Sequence, residues 1–273
     1  MIEEKAHAKL NLALDVVGKR EDGYHELKMI MIPLALHDVL TFSPHPDIVV
    51  ECDVEIPDNH VLKTIETMKR TFHVDQGAHV TLTKHIPIGA GLGGGSANIA
   101  ATIRGLNRLW QLDQPLENLE NIALELGSDT LFCLYERPAF IYGRGDQYLF
   151  IDMPPIKEIE LFPCDQAVST KTVFAAYRGR HRPKRFERLF RLYLNEQYQA
   201  FFRKTYNTLL KTTMKAYPAV KAHYKRLKKD HSTVMMTGSG STFFVLDGDN
   251  ISTKKPKRNE KNTTKGLKTR PKS

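Results

Sequence analysis

The sequence predicts an α/β protein (α+β in the wider sense) with mixed or antiparallel sheets in two domains. Its 273 residues exceed what one small core needs, and 41% hydrophobic with 26% charged residues is a composition typical of globular proteins. Segments of alternating apolar and polar residues are interspersed with segments of helical spacing. The Pro154-Pro155 pair marks the expected boundary between domains at 1–154 and 155–249, and 250–273 reads as a basic, disordered tail.

The first domain begins with two predicted strands. Leu10, Leu12 and Leu14 alternate with polar or small residues, and after a turn at 18–23 a second strand runs from Tyr24 onward. Further strands are expected at 39–42, 48–54, 80–83, 139–142 and 148–151, and helices at 59–72, 97–110 and 116–126.

The second domain mixes short strands with basic helices. A strand is predicted at 159–162, a basic helical region at about 184–214 and a helix after Tyr217-Pro218. Strands at 233–236 and 242–246 flank a Gly238-Ser239-Gly240 loop.

The formal net charge is +9 and is unevenly distributed. Residues 178–230 carry sixteen Lys and Arg against three acidic residues, and residues 251–273 carry nine against Glu260. Without that tail the chain is close to neutral, because residues 1–177 are acidic overall. This distribution suits a small phosphorylated ligand at least as well as a polynucleotide, and we do not expect a nucleic-acid partner.

Composition also bears on location. No apolar run reaches the roughly 18 residues needed to cross a bilayer, and residues 1–5 show no secretory pattern. Cys52, Cys133 and Cys164 lack a CxxC or metal-ligand spacing. We therefore expect a cytoplasmic protein with reduced thiols and no membrane segment.

A glycine-rich segment, Gly89–Ser96, lies between a predicted strand and a predicted helix. Glycines let backbone N–H groups approach an anion, and a helix N-terminus adds its dipole, so five glycines in seven residues predict a phosphate cradle. A tight turn would need only two or three of them. Ser96 is expected to cap the helix, with its hydroxyl near a phosphate or Mg²⁺.

Two other phosphate-binding motifs do not fit this segment. A P-loop requires a Lys immediately before the hydroxyl residue, and none precedes Ser96. Gly89, Gly91 and Gly94 match GxGxxG, but the residue expected to bind a ribose, Asp113, lies in a polar turn rather than after a second strand.

Lys9 and Asp129 are the candidate catalytic groups. Lys9 alternates away from the leucine face of the first strand, and Asp129 follows the expected helix stop at Gly127. Taken alone, the first would be a surface lysine and the second a turn residue. Beside an anion-binding loop they supply what phosphoryl transfer needs, a proton acceptor and a cation.

At these residues the chain resembles the GHMP kinases. The matching segments occur in family order over residues 5–246: 6–12, 22–27, 87–97, 126–129, 143–146, 169–170 with Phe174, and 237–241. The resemblance implies the two-domain GHMP kinase fold, with a nucleotide-binding N-terminal domain and a ferredoxin-like C-terminal domain. It also implies ATP-dependent phosphorylation of the 2-hydroxyl of a cytidine-diphosphate-linked methylerythritol in non-mevalonate isoprenoid biosynthesis, with Mg²⁺ expected from the reaction.

The resemblance also implies roles for individual residues. Asp129 would be the base and Lys9 its partner. Tyr24 and Phe174 would sandwich the cytosine ring, and His25 and Asn11 would read its polar edges. Thr170, Gly238 and Gly240 would complete the substrate site. The ATP phosphates would be cradled by Pro87, Ile88, Gly89, Ala90, Gly91, Leu92, Gly93, Gly94, Gly95, Ser96 and Ala97.

Three features depart from the family pattern. Leu131 replaces a proline after Asp129, Asn207–Leu210 lacks two expected carboxylates, and 250–273 replaces a helix and closing strand, leaving one sheet edge without cover. These departures leave open a non-catalytic nucleotide-binding relative or a kinase for another alcohol. A nucleic-acid-binding protein would instead lose affinity steeply with salt.

Overall fold

A computed structural model describes residues 1–56, 59–154, 156–179, 183–246 and 267–272. By contacts the chain divides into two compact units, one of Met1–Lys9, Pro33–Pro87 and Gly93–Arg137, the other of Leu10–Ile32, Ile88–Leu92 and Pro138–Ser273. The units interleave along the sequence, and the continuous domains divided at Pro154-Pro155 stay a prediction.

One sheet has six strands and confirms the α/β class. Its strands are β1 (Ile2–Lys19), β2 (His25–His45), β3 (Ile48–Cys52), β4 (Gly77–Thr83), β5 (Ala139–Gly143) and β6 (Gln147–Phe150). The order is β3-β4-β2-β5-β6, β1 pairs with β2, and β3–β4 is a parallel pair whereas β2–β4, β2–β5 and β5–β6 are antiparallel. The strand predicted at 39–42 is the second half of the long β2.

Four helices belong to the first unit: α1 (His60–Phe72), α2 (Gly94–Leu109), α3 (Leu116–Leu126) and α4 (Thr130–Tyr135). Asn59 caps α1 by accepting a hydrogen bond from the Val61 N–H. Helix α2 lies so close to β2 that a Cβ placed on Gly105 would come within 2.4 Å of the Phe42 ring. The sequence analysis missed α4, because six mostly apolar residues show no helical period.

The second unit holds the remaining elements: β7 (Ile159–Phe162), α5 (Thr170–Ala176), α6 (Pro183–Leu194), α7 (Tyr198–Lys204), α8 (Leu210–Ala216), α9 (Pro218–Asp230), β8 (Met235–Met236), β9 (Phe243–Val245) and β10 (Leu267–Thr269). Its sheet has the order β10-β7-β9-β8, with antiparallel pairing throughout. The basic helical region predicted at 184–214 is three separate helices, with Glu196 at a positive φ after the first.

Strand β10 corrects two expectations about the C-terminal segment. Leu267 pairs with Leu161 and Thr269 with Ile159, so these residues are not disordered and the edge of β7 is covered. The physical reason is that an unpaired strand edge offers N–H and C=O groups to any extended segment. The rest of the predicted tail, 250–266 and Ser273, lies outside the described residues.

Within the described residues no helix is both long and apolar enough to cross a membrane. Cys52, Cys133 and Cys164 are free thiols, as expected.

A buried carboxylate, Asp38 on β2, organises the segment that leads into the glycine loop. Asp38 is fully buried, pairs with the ammonium of Lys84, and accepts hydrogen bonds from the N–H groups of His85 and Ile86, both at 2.7 Å. The Asn98 amide, oriented with its nitrogen toward Asp38 and its oxygen toward Lys84, adds α2 to this network. A carboxylate so fully satisfied fixes where the strand ends and the loop begins.

We predict that Asp38→Asn lowers the free energy of unfolding by about 3–5 kcal/mol, because the ammonium of Lys84 would stay buried without its counter-charge. Urea denaturation monitored by circular dichroism measures the loss. Glu125→Gln is the control, since it breaks an exposed pair with Arg70 in the same unit and should cost less than about 1 kcal/mol. Equal losses in the two variants would contradict the prediction.

Candidate active site

Lys9 and Asp129 form an ion pair in the first unit. The Nζ atom of Lys9 lies 3.2 Å from Oδ2 of Asp129, with the lysine side chain 5% exposed and the aspartate side chain 30% exposed. Lys9 comes from the buried part of β1, and Asp129 is the residue before α4, where its carboxylate caps no N–H group of the helix. The structure thus brings together the two residues singled out from the sequence and leaves the carboxylate open to solvent.

Gly93 lies directly against the aliphatic part of Lys9. A Cβ at Gly93 would come 2.7 Å from Cγ and 3.0 Å from Cε of Lys9, and the backbone φ of Gly93 is +72°. Both facts require glycine at this position: a Cβ would collide with the Lys9 side chain, and the positive φ is unfavourable for other residues. The phosphate-cradle segment and the lysine are therefore in contact at this point.

Helix α2 begins at Gly94, which corrects the role given to Ser96. Gly93 is the N-cap, and Ser96 is the third residue of the helix rather than its cap. The reason is that Gly93 adopts a left-handed conformation, which lets the helix begin three residues earlier than its apolar pattern indicates. The Ser96 Oγ instead lies 3.6 Å from the Cβ position of Gly127, beside the turn that carries Asp129.

The first turn of α2 therefore presents the N–H groups of Gly94, Gly95 and Ser96 without helical acceptors, whereas the Ala97 N–H bonds to the Gly93 carbonyl. The Nζ atom of Lys84 lies 3.3 Å from the Cβ position of Gly94, but its charge is already paired with Asp38. The N-terminus of the helix is the feature that favours an anion here.

In the second unit, residues 88–92 of the glycine loop pack against the 237–242 loop. The Thr242 N–H donates to the Ala90 carbonyl at 3.1 Å, and a Cβ on Gly91 would come within 2.6 Å of the Gly240 carbonyl oxygen. Gly240 is thus part of the support for the loop, and both Gly238 and Gly240 have a positive φ, at +56° and +97°.

Asn207 is a residue of this site that the sequence analysis did not assign. Its amide nitrogen donates to the carbonyls of Met236 and Gly238 at 2.8 and 2.7 Å, and its side-chain oxygen accepts from the Leu209 N–H. The one available signal was the motif departure at 207–210, in which the two carboxylates are lost and Asn207 is retained together with Leu209.

An aromatic group lies at the start of β2. The ring centroids of His25 and Phe174 are 5.2 Å apart, and Tyr177 meets His25 edge-on at 6.3 Å. The Tyr24 ring is 59% exposed, with the guanidinium of Arg144 at 5.8 Å from its centroid. Burial, followed by the charge of Lys19, lowers the pKa of His25, so its ring is neutral near pH 7 and able both to donate and to accept.

Asn11 and Thr170 also belong to the second unit. Asn11 is buried on β1. Its side-chain amide nitrogen donates to Met29 Sδ, and its backbone N–H donates to Thr237 Oγ1. The Thr170 hydroxyl, in the first turn of α5, lies 2.8 Å from that of Ser239. Both residues thus contact the Gly238–Gly240 loop or its neighbour Thr237.

Comparisons with known proteins agree on one family. The chain is 40% identical over 252 residues to 4-diphosphocytidyl-2-C-methyl-D-erythritol kinase of Geobacillus kaustophilus (strain HTA426), covering 89% of this chain and 87% of that protein. A protein of the same name from Thermotoga maritima (strain ATCC 43589 / DSM 3109 / JCM 10099 / NBRC 100826 / MSB8) is 37% identical to this chain, covering 88% of this chain and 90% of that protein. Residues 59–137 match the family described as GHMP kinases N terminal domain. The chain belongs to the GHMP kinases.

The fold agrees with this membership. A crystal structure of 4-(cytidine 5'-diphospho)-2C-methyl-D-erythritol kinase superposes with a TM-score of 0.74 at 29% identity, covering 90% of each chain. The GHMP kinase fold expected from the sequence is therefore confirmed. As a GHMP kinase the chain is a small-molecule kinase, with ATP as the phosphoryl donor that the family implies.

We predict that Gly93→Ala destabilises this GHMP kinase by about 2–4 kcal/mol, because a methyl group would collide with the Lys9 side chain at an unfavourable φ. Thermal unfolding measures the effect. Gly95→Ala is the matched control, since its Cβ would meet only His60 Cδ2 at an ordinary 3.6 Å within a helix. A Gly93→Ala protein as stable as the control would refute the close approach.

We predict that His25 titrates below its ordinary 6.5, because burial disfavours the imidazolium. The unfolded chain takes up this proton first, so the contribution of His25 to stability is present above about pH 6.5 and is lost as pH falls toward the lower folded-state pKa. The ring-carbon chemical shift followed by NMR gives the midpoint.

Phe174→Ala serves as the control for this titration. Removing the ring that packs on His25 should raise the midpoint toward 6.5. A midpoint at or above 6.5 in the parent protein would show that the ring is not desolvated.

Proposed function

We propose that this chain transfers the γ-phosphoryl group of ATP to the 2-hydroxyl of 4-diphosphocytidyl-2-C-methyl-D-erythritol, a step of non-mevalonate isoprenoid biosynthesis. Support comes from relatives of that name at 37–40% identity over most of both chains. The observation that carries the chemistry is the ion pair between Lys9 and Asp129, with Gly93 of the cradle against the lysine.

In this proposal Asp129 accepts the proton of the substrate 2-hydroxyl as the oxygen attacks the γ-phosphorus. Its carboxylate is exposed enough to meet a hydroxyl, whereas the ammonium of Lys9 is enclosed beside it. Lys9 orients the carboxylate and offsets negative charge as the phosphoryl group moves. The pair thus supplies the acceptor and the cation that phosphoryl transfer requires.

The ATP phosphates are proposed to bind along residues 87–97. The N-terminus of α2 favours an anion there, because its first N–H groups have no helical acceptor. Glycines at 91 and 93 are required by close contacts, and a backbone without side chains lets phosphate oxygens reach the N–H groups.

Mg²⁺ is part of the proposal as an ion bound mainly by the phosphates. The described residues contain no cluster of three or more His, Cys, Asp or Glu side chains suited to a metal. Mg²⁺ does not need such a cluster, since phosphate oxygens and water fill most of its coordination shell. The half-buried Ser96 hydroxyl, in the first turn of α2, would be a suitable oxygen ligand for the ion. When bound, the ion would neutralise phosphate charge.

The cytidine half of the substrate is proposed to bind at the aromatic group. Tyr24 and Phe174 offer π faces to the base, with neutral His25 and the Asn11 amide as partners for its polar edge. Thr170, Gly238 and Gly240 are assigned to the same substrate site, which remains a proposal for each of these residues.

A cytoplasmic location and the absence of a nucleic-acid partner also remain proposals. The free thiols of all three cysteines favour a reducing compartment.

A coupled assay of ADP release with ATP, Mg²⁺ and 4-diphosphocytidyl-2-C-methyl-D-erythritol tests the proposal. We expect turnover by the full chain and a loss of about 10²–10⁴ in kcat for Asp129→Asn, because the amide cannot take up the proton. Asp113→Asn is the control: it lies in an exposed turn at φ +50°, which asparagine tolerates, and should stay within about twofold.

Three outcomes of this assay would change the proposed reaction, its substrate or the role of Asp129. No turnover by a folded chain that still binds ATP would overturn the proposed reaction. Release of ADP with a different alcohol alone would keep the kinase and replace its substrate. Undiminished turnover by Asp129→Asn would remove Asp129 from the chemistry.

A further inference from the structure

Arg104 on α2 has all five of its guanidinium N–H donors engaged. The side chain is only 15% exposed. Its acceptors are Glu4 Oε2 at 3.0 Å, the carbonyls of Cys133 at 2.9 Å, Leu134 at 3.3 Å and Lys5 at 3.0 Å, and Glu136 Oε1 at 3.1 Å. A planar, fixed fork with this many partners holds them in one relative position.

These partners come from the elements that carry the catalytic pair. Glu4 and Lys5 lie on β1, four or five residues before Lys9. Cys133 and Leu134 are at the carbonyl end of α4, whose N-cap is Asp129, and the Asp129 carbonyl accepts the first bond of that helix from the Cys133 N–H. Arg104 itself stands in α2, the helix whose first turn forms part of the cradle.

Helix α4 needs such an anchor. Six residues are too few for a helix to be stable on its own. A cation at the carbonyl end satisfies the last acceptors and complements the helix dipole. Asp129 is the N-cap at the other end of this six-residue helix. A shift at Cys133 and Leu134 therefore also moves the carboxylate of Asp129.

We propose that Arg104 is a positioning residue for the phosphoryl-transfer step, holding α4 so that Asp129 meets Lys9 at the cradle. This inference rests on the proposed function of Asp129. A displacement of about 1 Å in a reacting group can cost on the order of 10²-fold in rate, so the effect falls on kcat.

The test compares Arg104→Lys with Arg108→Lys in the full chain. Lysine keeps the charge but has no planar fork, so we expect Arg104→Lys to lower kcat about 10- to 100-fold with KM for ATP within threefold. Arg108 also donates to Glu4 from α2, but it is 57% exposed and no hydrogen bond among the described residues joins it to α4, so its lysine variant should stay within twofold. Matching losses in both variants would overturn the proposal.

A second measurement excludes a merely structural role. In an Asp129→Asn background, Arg104→Lys should change the residual rate less than twofold, because the base it positions is already gone. If Arg104→Lys lowers the rate by the same factor with and without Asp129, or raises KM for ATP at unchanged kcat, Arg104 does not act through Asp129.

A readout independent of turnover separates failure of this inference from failure of the proposed function. The Cys133 thiol is buried on α4, and burial raises its pKa, so it should react slowly with a thiol reagent. Peptide mass spectrometry should show Cys133 labelled at least tenfold faster in Arg104→Lys, with Cys52 and Cys164 unchanged and no change in Arg108→Lys. An unchanged Cys133 rate overturns the anchoring even if the parent is an active kinase. An inactive parent in which Cys133 labelling still depends on Arg104 overturns the proposed function, and with it the role of Arg104 in phosphoryl transfer, but not the anchoring of α4.

Discussion

A carboxylate with no exposure to water, Asp38, sets the frame on which the first unit depends. Its burial is tolerable only while the ammonium of Lys84, two backbone N–H groups and the Asn98 amide all converge on it. That convergence joins β2, the residues after β4 and the second turn of α2. The phosphate-cradle segment is therefore held at its entrance and again just inside its helix.

The reactive geometry is built from residues of two kinds. Lys9 and Asp129 are the pair proposed to carry the chemistry, whereas Asn207 and Arg104 bind mainly backbone carbonyls and hold loops or helices in place. Arg104 satisfies acceptors from two separate elements, β1 and α4, whereas Asn207 satisfies two carbonyls of one loop. This division explains how a carboxylate as exposed as Asp129 can keep a defined position at the end of a short helix.

The sequence predicted those parts whose cause is local. Strand β7 and helix α3 have the predicted bounds, and Lys9, Asp129 and the glycine segment were identified from residue type and spacing. What it did not predict depends on distant contacts. Helix α2 begins early because Gly93 takes a left-handed conformation against Lys9, α4 exists because Arg104 and its surroundings hold it, and β10 pairs with a strand more than a hundred residues earlier. None of these leaves a periodic pattern in its own segment.

The contact between Gly105 and the Phe42 ring has a consequence for the far end of the same helix. Since no Cβ fits between them, the Phe42 ring sets how closely α2 approaches β2 at this point. A rigid helix carries that constraint along its length. The placement of the first-turn N–H groups, which are proposed to bind the ATP phosphates, therefore depends on a core residue three turns away.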